Sequence, residues 1–63
     1  MKIYNISEKM TLVEIEQTIS EILADSEMEH AIQNPQFFSK VENAIVTHNL
    51  CVLRGLYLLK EVK

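Results

Sequence analysis

The chain has 63 residues, 48% of them apolar and 24% charged, with a formal net charge of -3 and a single cysteine. A chain of about 60 residues buries only roughly 60% of the surface its unfolded form exposes, so one small domain is the limit and a staple or a partner is expected. Cys51 excludes an internal disulfide, His30, His48 and Cys51 are too few for a four-ligand structural zinc, and the acidic balance disfavours nucleic acid as a direct partner.

The charges are divided unevenly along the chain. Residues Met1 to Gln33 hold seven acids against Lys2 and Lys9, whereas Asn34 to Lys63 hold Glu42 and Glu61 against four basic residues. Opposite halves favour antiparallel pairing of the two, with the acidic run as a solvated helix face.

Residues Lys2 to Ile6 alternate apolar and polar, the pattern of a short strand or extended arm. The run is too short for a secretory signal, and Leu50 to Leu59, interrupted by Arg54, is about half a membrane span, so a cytoplasmic protein is expected. Thr11 and Glu14 have capping-box spacing and predict a helix from Leu12, with Leu12, Ile15, Ile19, Ile22 and Leu23 on its apolar face. Beyond Ala24 two readings stand. Ser26 and Glu29 repeat the capping-box spacing and open a short second helix near Asp25, or the first helix continues to Gln33. Asn34 before Pro35 reads as an N-cap followed by proline at the first helical position.

From there Phe38, Val41, Ile45, His48, Val52, Leu56 and Leu59 follow at spacings of three and four, and Phe37, Ala44, Cys51 and Leu58 form a second row seven apart. The apolar face is therefore wide, as on a helix with neighbours on two sides. Asn49 and Gly55 weaken a continuous helix. A break at Thr47 to Asn49 gives a three-helix bundle, and a terminal strand over Leu50 to Leu59 pairing with the arm is the other alternative, although period-two alternation is missing there.

Candidate chemistry is sparse. Glu27 and His30 carry the Glu-x-x-His spacing of di-iron bundles, but among polar residues they read as a solvated pair. His48 and Cys51, also three apart, suit two metal ligands or a thiol beside its base. Cys51 lies among Leu50, Val52 and Leu53, where a cysteine acts as a small buried hydrophobe, and His48 falls on the apolar stripe as a packing residue. Gly55 is the only glycine, which removes a phosphate-cradling loop, and the aromatic residues do not interleave with basic ones. Phe37 and Phe38 suit the plug of a hairpin end or an exposed docking knob.

The expectation is an all-α protein: a helical hairpin with a long second helix, or three short helices, associating as a homodimeric bundle with a short extended N-terminal arm. One domain spans 1–63, with the arm at 1–10, an acidic helical region at 12–33 and an apolar, basic one at 35–61. Its expected function is protein interaction without catalysis, as a regulator or inhibitor of another protein such as phages and mobile elements encode. No cofactor, metal, small-molecule substrate, membrane or direct nucleic-acid contact is expected. Phe37, Phe38, Val41, Ile45, Val52, Leu56 and Leu59 are the expected interaction residues, and Gly55 would let two backbones approach across the dimer. A metal-binding protein or enzyme using Glu27 and His30, or His48 and Cys51, is the second class; a dimeric transcriptional regulator, disfavoured by charge, is the third.

Overall fold

Helix starts in this chain are written into short side chains. In a computed structural model describing residues 1–63, the Glu14 amide donates to the Thr11 hydroxyl at 3.2 Å and the Thr11 amide donates to the Glu14 carboxylate at 3.0 Å. This capping box opens α1, Leu12–Leu23. Asp25 then accepts from the amides of Glu27 and Met28, both at 3.1 Å, and opens α2, Ser26–Gln33. Of the two readings for this stretch, separate helices hold; the cap is Asp25, and Ser26 is already helical.

The second half begins differently from expectation. Pro35–Phe37 form only a 3-10 turn, and the Asn34 side chain makes no capping bond. The long helix α3 is Lys40–Val62, opened by a second capping box in which Ser39 and Glu42 exchange bonds of 3.1 and 3.0 Å. Asn43 fastens the turn to the helix by donating to the carbonyls of Pro35, Phe38 and Ser39 at 3.0, 3.3 and 3.1 Å. Through Asn49 and Gly55 α3 runs unbroken, so neither a break at Thr47 to Asn49 nor a strand at Leu50 to Leu59 occurs. The chain contains no strand, and residues 1–10 form no helix.

Both α1 and α2 lie against α3. Helix α1 runs antiparallel to it: Glu16, near the start of α1, is 3.6 Å from Lys60, while Ile22 and Leu23, at its end, share a groove with Leu50 and Leu53. The expected pairing of acidic and basic halves is thus found in α1 and α3. Ile15, Ile19 and Ile22 of α1, Met28 and Ala31 of α2, and Val46, Val52 and Leu56 of α3 make the core, closed by Tyr4 from the arm. Leu12 and Leu23, expected on the inner face of α1, are 42% and 63% exposed, because the inner stripe is narrower than the apolar one.

The register of α3 is the main correction. Its buried face is Val46, Asn49, Val52 and Leu56, flanked by Ile45 and Leu59, with Asn49 fully buried where His48 was expected. Val52 and Leu56 are 5% and 0% exposed and occupied by the chain's own α1 and arm, so they are core residues and not interaction residues. Ile45, Phe38 and Leu59 are half-buried at the core's margin. Cys51 is exposed instead of buried, because it lies on the face of α3 turned away from both other helices. The two phenylalanines divide: Phe38 packs on the core while Phe37 stands 78% exposed.

Candidate functional site

Two features lie along α3 beside its contacts with the other helices: the arm, which reaches into the core through Tyr4, and an apolar row next to it. The arm is held by main-chain bonds to side chains of one helical turn. The Tyr4 amide donates to Asn49 Oδ1 at 2.9 Å, and Asn49 Nδ2 donates to the Lys2 carbonyl at 2.9 Å. Asn49 Nδ2 also lies 3.4 Å from the Met28 sulfur, so the buried amide reaches arm and α2 together. His48 Nε2 is 2.8 Å from the Tyr4 carbonyl; since a carbonyl only accepts, that nitrogen carries the hydrogen.

Further along, the Tyr4 phenol donates to Asp25 Oδ2 at 3.0 Å, linking the arm to the cap of α2. Burial disfavours the phenolate, and the hydrogen bond to Asp25 and the charges of Asp25 and Glu21 add to the effect, pushing the Tyr4 pKa up to about 12. Lys2 pairs with Glu21 at 3.1 Å, and Lys63 Nζ donates to the Glu8 carbonyl at 3.0 Å near the far end of the arm. Nothing in the sequence pointed to Asn49 except its position: a polar residue three and four places from Val52 and Ile45 is costly in a core unless something pairs with it.

The second feature is Val41, Ala44, His48, Cys51, Gly55, Leu58 and Val62, which follow strictly at three and four residues. Six of the seven are exposed and Gly55 is half-buried. Exposure reaches 70% at Val41, 56% at Leu58 and 79% at Val62, so no other helix of the chain covers this seam. The arm borders it on one side, where Ile3 and Ile6 are 55% and 42% exposed. A side chain added at Gly55 would meet Ile6 Cδ1 at 3.0 Å. The arm therefore occupies the space that the sequence assigned to a second backbone, and Ile6 supplies the side chain that Gly55 lacks. Along the other border stand Lys40, Thr47, Arg54 and Glu61, all exposed.

Of the expected interaction residues the seam contains Val41, with Phe37 exposed beyond its N-terminal end; Phe38, Ile45 and Leu59 lie at the core's margin, and Val52 and Leu56 beneath it. The heptad row Phe37, Ala44, Cys51 and Leu58, the second of the two apolar rows, is the outward one. Glu27 and His30 are both exposed on α2, and the Glu27 carboxylate is 3.5 Å from the Met1 ammonium. No three His, Cys, Asp or Glu side chains come together as a metal-ligand set. A separate groove of about 200 Å³ between α1, α2 and α3 is lined by Ile22, Leu23, Met28, Ile32, Leu50 and Leu53 among others. That is smaller than the ~300–1,000 Å³ usual for ligand pockets. No helix is long and apolar enough to cross a membrane. No family model, curated protein or solved structure matches this chain.

Proposed function

We propose that the protein is a non-enzymatic interaction module, a regulator or inhibitor of another protein, whose outer α3 face takes up the helix of a docked chain. The seam carries this reading. Three heptads of apolar or small residues on the open side of a helix form the surface that another helix packs into, by knobs-into-holes contact. A solvated face would carry charge at these positions, and none of the seven is an acid, lysine or arginine. The His48 ring is held on the Tyr4 carbonyl through Nε2, and no hydrogen bond joins it to the Cys51 thiol, so the two do not form a nucleophile–base pair.

The test is site-specific photo-cross-linking in the native cell. A photoreactive residue in place of Leu58 should yield a discrete protein adduct, and one in place of Gln17, exposed on the acidic face of α1, should not. Equal adducts from both positions, or none from Leu58, would sink the reading.

A further inference from the structure

We propose that the occupant of the seam is a second copy of this chain, with the two α3 helices antiparallel. This rests on the helix-docking reading and names its partner. The first support is extent: Val41 to Val62 spans about 32 Å of helix at 1.5 Å per residue, and a strip of that length, with Ile3 and Ile6 exposed beside it, falls in the ~300–600 Å² range in which a monomer's largest apolar patch is often functional.

The second support is the order of side-chain sizes. A twofold axis crossing α3 between Asn49 and Leu50 sets Val41 against the second copy's Leu58. The same axis sets Ala44, the smallest side chain on the seam, against Gly55 with Ile6 lying over it. His48 then faces Cys51, and Val62 reaches the end where Phe37 is exposed. Each small position meets a filled one, and every layer follows from one axis.

Charge is the third support, and it selects the direction. With the helices antiparallel, residues bordering the seam meet their own kind: Lys40 stands beside the second copy's Glu61 on both sides of the axis, and Arg54 beside Thr47. With the helices parallel, Lys40 would instead face the Ile45 border, lined by Ile3 and Asn5 of the arm without an acid, and only Arg54 would near one, Glu8 beside Leu59. Antiparallel packing also sets the two helix dipoles in opposition.

A face about 32 Å long and one helix of about 10 Å wide covers roughly 320 Å² per copy, below the ~1,200 Å² total at which standard stable interfaces begin, so the dimer is a weak one, read from micromolar concentration upward. Sedimentation equilibrium across that range should give a mass approaching two chains. Val41→Glu and Leu58→Glu should each give one chain with unchanged far-ultraviolet circular dichroism, because both side chains already face solvent. Leu50→Glu, on the opposite groove, should remain a dimer. For direction, Val41→Cys and Leu58→Cys in a Cys51→Ser background should link residue 41 to residue 58 between copies on oxidation. The two sites are about 25 Å apart within one helix, so the link cannot be internal.

Wild-type protein that stays at one chain overturns the second copy while leaving the docking reading to its photo-cross-link. A dimer that survives both glutamates overturns the seam itself. Links of 41 to 41 and 58 to 58 overturn the antiparallel arrangement.

Discussion

Asn49 carries more of this structure than any other polar residue, and its effect is testable alone. Its amide pairs the Tyr4 N–H and the Lys2 carbonyl, both of which have left water to pack on α3. Truncation leaves those groups unpaired over a small cavity, at roughly 2–4 kcal/mol together. Asn49→Ala should therefore lower the urea midpoint and speed amide exchange at Tyr4, while the α1 amides keep their protection relative to global stability. A change under about 1 kcal/mol would mean the arm is not held there. Tyr4 gives a pH signature. Its folded pKa, about 12, lies above the ordinary 10.0, so the folded state holds the proton more tightly. The stability this contributes is complete below pH 10 and is lost as pH rises from there through 12. Tyr4→Phe should remove that alkaline loss, seen as a flatter stability curve above pH 10. None of this was legible in the sequence, where Asn49 registers as a weak helix former, because its partners are main-chain groups 45 and 47 residues away.

At the scale of elements the sequence is a better guide wherever the signal is local. Thr11 with Glu14 marks α1 because a capping box needs only four consecutive residues. The start of α3 misleads for the same reason: Asn34 with Pro35 is a strong local signal, and Ser39 with Glu42 is an equal one five residues later. Only the second can continue into a helix whose turns pack on the core. Both box glutamates are held below the usual carboxylate range by the backbone amides of Thr11 and Ser39 and then by the same residues' hydroxyls. Their folded pKa is depressed, so the stability they contribute is present above the ordinary value of 4.5 and lost as pH falls below it. Glu14→Gln with Glu42→Gln keeps both boxes, since glutamine also serves at that position, and should flatten the acid limb of the stability curve. Gly55 sets two effects against each other. Alanine would gain about 1 kcal/mol of helix propensity, while its methyl meets Ile6 Cδ1 at 3.0 Å. Ile6 is half-exposed and turns away easily, so Gly55→Ala should raise the thermal midpoint; a fall would show that Ile6 is wedged against the helix.

For the whole molecule, the sequence carried the helical class and the excess of apolar surface on α3, but not which stripe is inward. Two stripes of similar hydrophobicity run along α3. The inner contains Asn49, which by composition alone looks like the worse core. The arm decides between them, because Asn49 can be buried only with main-chain groups to bond, and burying it turns Val41, Ala44, Cys51 and Leu58 outward. Fold and assembly are then linked: the choice that satisfies the core leaves the seam open, and closing the seam with a second copy adds stability that depends on concentration. Two folded chains in one dimer unfold to two separate chains, so each tenfold rise in concentration adds about 1.4 kcal/mol per dimer, or about 0.7 kcal/mol per chain, above the dissociation constant. In a domain this size that raises the thermal midpoint by about 3–6 °C per tenfold. Melting wild-type protein across two decades of concentration above the dissociation constant should show that climb, and Leu58→Glu should melt at one temperature throughout. A wild-type midpoint independent of concentration would mean that the open seam adds nothing to the stability of the fold.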